Sequence, residues 1–419
     1  MKALVFVSIA LVCSVAVPAQ DTTQHIIPGR KNSAQQENKP YVILISADGF
    51  RYDYPEKYHA EHLLAFANEG VKATSMIPSF PSSTQPNHYA MATGLYPAHH
   101  GIVQNIFYDR DRKTYFNSSS KENTEDATWY GGTPLWVLAE QQQLLAANFY
   151  WPGSNAAIKG VYSTYYYMHG KKIPINDRIQ DVVNWLNLPA AQRPHLITFY
   201  LPWADDEGHN HGPNSPEVAG AVQLIDSVVY ALTQAVNTTG LKVNYIFVSD
   251  HGMSEPDTQH PLPTPDALDT SKFFISGDRM VVELIAKNKA DIQPTYEALK
   301  KEAKAYDVYL RANMPAHLHS AASDDWHNRV GDIILLPHYP KLFNLYNHTL
   351  DKGQHGYDPK AVMDVHAIFF AWGPAFKTHT EIEPFPNVDI YPLVTQILGL
   401  QYTDKIDGTK ALADEVLLP

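Results

Sequence analysis

Four nearly continuous apolar runs are widely spaced along the chain. They occupy residues 41–46, 196–201, 245–248 and 367–371 and consist mainly of aliphatic and aromatic side chains. Unbroken apolar runs of this length are typical of central strands in a sheet that is covered on both faces, because neither side of such a strand meets water. The pattern therefore predicts four buried strands.

A helical pattern lies between the second and third runs. Its apolar positions recur at alternating steps of four and three, which places them on one buried helix face. Strands that alternate with helices predict an α/β fold with a largely parallel central sheet flanked by helices, and such sheets bind ligands beyond the carboxyl ends of their strands. The helix is predicted over residues 217–236, with the apolar positions Val218, Val222, Ile225, Val229, Leu232 and Val236.

Three segments outside the predicted strands and helix suggest how the chain is divided. Residues 1–19 combine Lys2, a short apolar stretch and Val17-Pro18-Ala19, which is the layout of a secretory signal peptide. Residues 20–40 are polar and aperiodic and are expected to form an N-terminal tail. A proline-rich stretch opens residues 255–340, which we interpret as an inserted cap region, with a separate domain as the weaker alternative.

Composition narrows the function classes. A net charge of −12 argues against a nucleic-acid-binding surface. No later segment has the roughly 18 uninterrupted apolar residues of a membrane span, so we expect none. The single cysteine, Cys13, lies in the expected signal peptide, so we expect no internal disulfide in the mature chain. An anionic substrate would then need local cations, which bound metal ions supply.

The expected location is secreted or periplasmic. Glycosylation acceptor patterns begin at Asn117, Asn237 and Asn347, and they matter only in a eukaryotic secretory pathway. The expected lack of disulfides favours a bacterial source, since secreted eukaryotic enzymes often use them.

Polar clusters follow three of the predicted strands. Asp48 follows the first run, Asp205 and His209 follow the second, and Asp250 and His251 follow the third. A sixth candidate, His355, lies about a hundred residues later between two glycines, a context that suggests a tight loop. Carboxylate and imidazole ligands in this mixture suit zinc, with manganese or iron as alternatives.

Three adjacent hydroxyls are candidates for a nucleophile. Ser82, Ser83 and Thr84 lie in a segment that resembles a helix start, where hydroxyls commonly cap the backbone. Next to a metal ion, however, a hydroxyl can lose its proton and attack a substrate. The spacing alone does not indicate which of the three would do so.

A series of short motifs runs in order along residues 41–400. Taken together they resemble the nucleotide pyrophosphatase/phosphodiesterase family of the alkaline phosphatase superfamily. The resemblance implies an alkaline-phosphatase-like α/β fold and a catalytic phosphodiesterase domain over residues 41–419. The motifs are Ala47-Asp48-Gly49, Thr84-Gln85-Pro86-Asn87-His88-Tyr89, Thr93-Gly94-Leu95-Tyr96-Pro97, His100-Gly101-Ile102, Trp151-Pro152-Gly153-Ser154, residues 205–209 with Gly212-Pro213, Ser249-Asp250-His251-Gly252-Met253 and His355-Gly356-Tyr357.

The same resemblance implies roles for individual residues. Thr84 would be the nucleophile and would contact the second of two zinc ions, and Asn105 would donate a hydrogen bond to a non-bridging phosphate oxygen. Water would later attack the phosphothreonine. Asp205, His209 and His355 would hold one zinc, and Asp48, Asp250 and His251 would hold the other.

One position departs from the family pattern. Family members often carry an aromatic residue directly after the nucleophile to stack a nucleobase, whereas this chain has Gln85. Tyr165 is the candidate for a remaining stacking face, with simple packing as the alternative.

The expected function is that of an exported di-zinc phosphodiesterase or pyrophosphatase that acts on small phosphodiester or nucleotide substrates and releases nucleoside monophosphates. One alternative is a phosphate monoesterase or a phosphodiesterase of choline-type phospholipid headgroups. The motifs contain no arginine to hold the extra charge of a monoester, which argues weakly against the monoesterase. A zinc-stabilised binding protein without activity is the alternative from another class.

Overall fold

The structure is a computed structural model that describes residues 22–168, 173–277 and 279–419. The expected signal peptide, residues 1–19, lies outside the described residues. In chain order the strands of the described part are β1 (His25–Ile26), β2 (Tyr41–Ala47), β3 (Val71–Ala73), β4 (Met76–Ile77), β5 (Ile106–Asp109), β6 (Thr114–Asn117), β7 (Ala146–Phe149), β8 (Tyr165–Tyr167), β9 (Leu196–Leu201), β10 (Val243–Val248), β11 (Phe273–Ser276), β12 (Val282–Ala286), β13 (Tyr306–Leu310), β14 (Ile333–Pro337), β15 (Phe369–Trp372), β16 (Thr380–Ile382) and β17 (Phe385–Pro386).

Helices lie between most of these strands. In the same part of the chain they are α1 (Tyr54–Lys57), α2 (Glu61–Glu69), α3 (Thr84–Thr93), α4 (Pro97–His100), α5 (Lys121–Glu125), α6 (Leu135–Gln141), α7 (Ile175–Leu186), α8 (Trp203–His211), α9 (Pro216–Asn237), α10 (Ile292–Glu302), α11 (Ile390–Leu398) and α12 (Ala411–Val416).

The central sheet has the order β1-β8-β7-β9-β2-β10-β15-β3-β16. The five neighbours β8, β7, β9, β2 and β10 pair in parallel, which confirms the predicted largely parallel sheet. The fourth predicted strand differs from the other three, because β15 runs antiparallel to β10. Its carboxyl end therefore lies at the opposite edge from the ends of β2, β9 and β10.

Helices cover both faces of this sheet, as the unbroken apolar strands require. Buried side chains of α3, α6 and α11 pack with one face, and those of α2, α7 and α9 pack with the other. Helix α9 matches the predicted amphipathic helix, and its six predicted apolar positions are all buried. By length and composition alone α9 could also cross a membrane; here its apolar face packs against the sheet.

A second, four-stranded sheet has the order β11-β12-β14-β13 and falls within the expected cap region. Helix α10 packs on it through Leu299, in a small core of its own. Its edge strand β11 contacts β5, where the rings of Tyr108 and Phe274 stack with centroids 3.9 Å apart. The chain then returns to the central sheet at residue 355, and the assignment of residues 255–340 as a cap remains a prediction.

The segment before β2 packs along the central sheet. Strand β1 pairs with the edge strand β8, and His25 stacks on Tyr166 with ring centroids 4.9 Å apart. Further along, the Asn32 side chain accepts a hydrogen bond from the backbone of Leu145 at 2.8 Å. The described part of the expected tail is therefore fixed to the fold by backbone and side-chain contacts.

Candidate metal centre and active site

Three neighbouring strands end at the same edge and bring the polar clusters together. In the sheet register Ser46 of β2 pairs with Val248 of β10, and Ala47 pairs with Leu201 of β9. Asp48 and Asp250 each follow their strand within two residues, and Asp205 lies in the first turns of α8. The strand ends therefore deliver three carboxylates to one small region.

A glycine makes this close approach possible. Gly49 has a φ of 66°, and a Cβ atom on it would lie 2.8 Å from the Cα atom of Asp205. Any larger residue would have to displace the backbone that carries Asp205.

One group of candidate ligands consists of Asp48, Asp250 and His251, all of which are buried. The Nε2 atom of His251 lies 3.0 Å from Oδ2 of Asp250 and 3.6 Å from Oδ1 of Asp48. Asp48 Oδ2 also accepts a hydrogen bond from the Tyr200 hydroxyl at 2.6 Å. Asp250 Oδ1 accepts one from the backbone amide of Gly49 at 3.2 Å.

A second group of candidate ligands consists of Asp205, His209 and His355, and His251 also lies within reach of Asp205 and His355. Oδ1 of Asp205 lies 3.4 Å from Nε2 of His209 and 3.7 Å from Nε2 of His355. The two groups adjoin, because the rings of His251 and His355 stack with centroids 3.7 Å apart. The structure thus brings together all six ligands predicted from the sequence.

The three imidazoles are held in the same way. Each places Nδ1 against a backbone carbonyl: His209 against Gly353 at 3.0 Å, His251 against Gly252 at 2.8 Å and His355 against Ser82 at 2.8 Å. A proton on Nδ1 satisfies these carbonyls and leaves the lone pair of Nε2 facing the cluster, which is the arrangement of metal-binding histidines.

The donor set fits bound cations. Asp48 Oδ1, Asp205 Oδ1 and Asp250 Oδ2 are buried and have no hydrogen-bond partner among the described residues. Buried carboxylate oxygens without partners are costly unless they are paired or coordinate a metal. Oxygen and imidazole nitrogen atoms in groups of three match the ligand set of zinc sites that keep an open position.

Electrostatics distinguish the two central carboxylates. Burial, together with the charges of Asp250 and Asp205, raises the pKa of Asp48 well above its usual range. Burial alone would raise the pKa of Asp250 too, but His251 and His88 hold it well below the usual value. Burial and the neighbouring His251 and His209 lower the pKa of His355, so its imidazole is neutral at neutral pH.

The structure distinguishes among the three candidate hydroxyls. Ser82 is used in the loop, since its Oγ donates to the carbonyl of Tyr357 at 3.0 Å and accepts from the amide of Gly356 at 2.9 Å. Ser83 occupies the cap position before α3. Thr84 begins α3, and its Oγ1 lies 3.2 Å from Nε2 of His251. Thr84 is therefore the hydroxyl next to the ligand cluster.

Asn105 is oriented by the start of the same helix. Its Oδ1 accepts a hydrogen bond from the backbone amide of Gln85 at 2.9 Å. This contact fixes the side-chain oxygen and leaves the amide nitrogen as the group that can donate to a ligand.

A cavity of about 780 Å³ opens beside Thr84, and the predicted stacking residue does not line it. Tyr165 does not line this cavity: its hydroxyl donates to the carbonyl of Gln192 at 2.9 Å and its ring packs near Trp185, which favours the packing alternative. Successive residues of a strand face opposite sides. Tyr162 and Tyr166 line the cavity instead, with their rings stacked at 4.8 Å, and Gln85 lines it as well.

Two residues near the ligands were not assigned a role from the sequence. Tyr200 lies within an apolar run that predicts only a buried strand, yet its hydroxyl donates a hydrogen bond to Asp48. His88 occurs within a quoted motif, and its Nδ1 lies 3.3 Å from Oδ2 of Asp250, while its Nε2 lies 2.8 Å from Oγ of Ser46. His88 lies four residues after Thr84, so both side chains share one face of the helix, and this spacing was the sequence feature that could have identified His88.

Curated proteins that are similar to this chain include an ectonucleotide pyrophosphatase/phosphodiesterase and a venom phosphodiesterase. The chain is 33% identical over 384 residues to mouse ectonucleotide pyrophosphatase/phosphodiesterase family member 1, covering 86% of this chain and 41% of that protein. It is 32% identical over 376 residues to the venom phosphodiesterase of Naja atra, covering 86% of this chain and 44% of that protein. The chain thus spans less than half of the length of these curated relatives.

Solved structures agree with the fold. Human ectonucleotide pyrophosphatase/phosphodiesterase 5 superposes with a TM-score of 0.83 at 27% identity, covering 90% of this chain and 99% of that one. An inactive murine form of that protein in complex with AMP also gives 0.83, at 26% identity, with 90% and 100% covered. These matches confirm the alkaline-phosphatase-like α/β fold.

The family model for type I phosphodiesterase / nucleotide pyrophosphatase matches residues 42–358, which include every candidate ligand and Thr84. The chain therefore belongs to the type I phosphodiesterase / nucleotide pyrophosphatase family.

Proposed function

We propose that this chain is an exported, zinc-dependent phosphodiesterase that hydrolyses nucleotide phosphodiester or pyrophosphate bonds and releases a nucleoside monophosphate. The observation that carries the proposal is the 3.2 Å contact between Thr84 Oγ1 and His251 Nε2, where the two ligand groups meet. Family membership and the AMP complex of the murine relative support a nucleotide as the substrate.

Each ligand group would hold one zinc ion. Asp48, Asp250 and His251 would hold the ion nearer Thr84, and Asp205, His209 and His355, which the family resemblance implies and whose side chains contact one another, would hold the other. When bound, the ions would supply positive charge that lowers the pKa of the Thr84 hydroxyl and offsets the charge of the phosphate. The identity and number of the ions belong to this proposal.

The residues of the chain would then carry out a two-step displacement. Thr84 Oγ1 forms a bond to phosphorus while the bond from phosphorus to the leaving oxygen breaks. Asn105, whose oxygen is fixed by Gln85, donates through its amide nitrogen to a non-bridging phosphate oxygen. Water next cleaves the phosphothreonine, which restores Thr84 and releases the nucleoside monophosphate.

Export is proposed from two observations. The first nineteen residues have the pattern of a signal peptide. The relatives are named as ectonucleotide and venom enzymes. A secreted or periplasmic location follows from this proposal.

The proposal is tested with two substrates that differ by one ester bond. The purified chain is compared on the nitrophenyl ester of thymidine monophosphate and on nitrophenyl phosphate, with a chelator and with zinc added back. We expect preference for the diester, loss with chelator and recovery with zinc. Preference for the monoester would instead indicate a phosphatase, and inactivity on both would favour a lipid headgroup substrate or a binding protein.

A further inference from the structure

Two cavities adjoin the candidate ligands, and each is lined by a different part of the cluster. The cavity described above, which we call the proximal cavity, is lined by Asp48 and Thr84. A second cavity of about 530 Å³, the distal cavity, is lined by His209 and His355. Asn105 lines both cavities, so the phosphate that it would contact lies between them.

The geometry of phosphoryl transfer assigns the two halves of a substrate. In a displacement at phosphorus the attacking and leaving oxygens are roughly in line. Thr84 would attack from the proximal cavity, so the leaving oxygen departs on the side of His209 and His355. The distal cavity therefore lies where the leaving half of the substrate would be.

The lining of the distal cavity combines aliphatic and aromatic side chains with polar ones. Ile106 and Tyr346 line this cavity and are 47% and 52% exposed, so both side chains are accessible to a ligand. Met280 and Ile275 add further aliphatic surface. The rings of Tyr346 and His348 lie with centroids 5.7 Å apart on the same wall. Such a surface suits a flat organic group.

The charges of the distal cavity suit a leaving group of low charge. Among its described lining residues the acidic and basic side chains, histidines aside, are Arg279 and Asp351. They form an ion pair with Nη1 and Oδ2 at 2.6 Å, so the positive charge of Arg279 is offset. Inorganic pyrophosphate carries several negative charges and would meet the Asp351 carboxylate there.

We propose that the distal cavity receives the leaving half of the substrate and selects a flat aromatic group of low charge, such as a second nucleoside, over pyrophosphate. This inference rests on the proposed function and narrows its substrate class to diesters between two nucleosides. In the reaction the bond from Thr84 Oγ1 to phosphorus replaces the bond to the second nucleoside. The Thr84 hydroxyl gives up its proton to the solvent, and the departing oxygen takes one up, so that the second nucleoside leaves as an alcohol. Hydrolysis of the phosphothreonine then consumes one water and restores the Thr84 hydroxyl.

The test uses two substrates that share the retained half. The dinucleoside monophosphate of thymidine and thymidine triphosphate both yield thymidine monophosphate, and they differ only in whether thymidine or pyrophosphate leaves. The measured quantity is the ratio of kcat/KM for the diester to kcat/KM for the triphosphate. The zinc-loaded full chain is used throughout.

Tyr346→Ala and Ile106→Lys should each lower this ratio by about tenfold, the first by removing the stacking ring and the second by adding a positive charge. The inhibition constant of thymidine monophosphate should stay constant in Tyr346→Ala, because the product occupies the proximal cavity. Tyr230→Ala is the matched control, since Tyr230 is 40% exposed on α9 and lines neither cavity. Its ratio should equal that of the wild type.

An unchanged ratio in both cavity variants would overturn the inference while leaving the proposed function intact. A weaker inhibition by thymidine monophosphate in Tyr346→Ala would also overturn it, because the retained half would then occupy the distal cavity. If the wild type hydrolyses neither substrate, the proposed function itself fails and the inference fails with it.

Discussion

The Nε2 atoms of His209 and His355 lie 3.1 Å apart, although both histidines already use Nδ1 on a backbone carbonyl. With Nδ1 protonated, two lone pairs face each other, and this contact is unfavourable unless a cation or proton lies between them. Asp205 Oδ1 completes the triangle as a buried acceptor without a hydrogen-bond partner among the described residues.

His355→Ala should therefore reduce bound zinc from about two ions to about one per chain, because only the group of Asp48, Asp250 and His251 remains complete. The metal content of purified protein measures this directly. His317→Ala is the control, since His317 pairs with Asp358 outside the cluster. An unchanged zinc content in His355→Ala would contradict the assignment.

Thr84→Ala should abolish turnover and leave the zinc content at the wild-type level, because the hydroxyl is the proposed nucleophile while the six other ligands stay in place. Thr84→Ser should keep part of the activity, since it retains an oxygen at the start of α3. Steady-state kinetics and metal analysis on the same samples provide the comparison. A fully active Thr84→Ala variant would exclude the phosphothreonine.

Tyr200→Phe should weaken zinc affinity by about 10- to 100-fold, the usual cost of losing a partner that orients a metal ligand. The variant removes the 2.6 Å hydrogen bond to Asp48 and keeps the aromatic ring. Tyr245→Phe makes the same change on β10 of the same sheet, where the buried hydroxyl has no hydrogen-bond partner among the described residues. Equal zinc affinities of the two variants, measured by chelator competition, would rule out this role for Tyr200.

Gly49→Ala and Gly240→Ala should separate backbone strain from a steric clash. Both glycines have a similar positive φ, 66° and 71°, so both variants carry the strain of a left-handed residue. A Cβ atom at Gly240 meets nothing within 4 Å, whereas one at Gly49 lies 2.8 Å from the backbone of Asp205. We expect loss of zinc only in Gly49→Ala, and similar zinc affinities would refute the clash.

Glu283 should make stability depend on pH. Burial raises the pKa of this carboxyl from its ordinary value of 4.5 to about 7. Because the folded protein binds this proton more tightly than the unfolded chain, the contribution is complete below pH 4.5 and is lost as the pH rises through 7.

Glu283→Gln keeps an acceptor for the backbone amide of Gly331 but cannot ionise. Relative to the wild type it should gain up to about 3 kcal/mol in the free energy of unfolding between pH 5 and pH 8. Denaturant titrations at both pH values measure the gain. A difference between wild type and variant that is the same at both pH values would contradict the prediction.

The sequence predicted the candidate site best where a polar residue directly follows a predicted strand. Asp48 and Asp250 could be placed together because each follows an apolar run, and parallel strands end at one edge. His355 was assigned from its motif and neighbouring glycines. By contrast, the direction of β15 depends on how the chain crosses the sheet, which its composition does not record.

Other residues could not be assigned because their side chains give no directional signal. Residues 165–167 are three tyrosines, so the pattern contains no polar position to show which face is buried. The sequence therefore could not show that Tyr166, and not Tyr165, lines the cavity beside Thr84. Tyr200 likewise reads as one more aromatic residue in an apolar strand, and only the register beside β2 shows that its hydroxyl reaches Asp48.

The return of the chain at residue 355 bears on how the protein is made. During synthesis the three strand-end carboxylates emerge long before Gly353 and His355, so the edge of the sheet first gathers like charges without the loop that completes the cluster. Contacts between such distant segments form slowly, because a long loop must close first. Ions would therefore bind late in folding. Through His355 they would link the loop that follows the second sheet to a central sheet that had already formed.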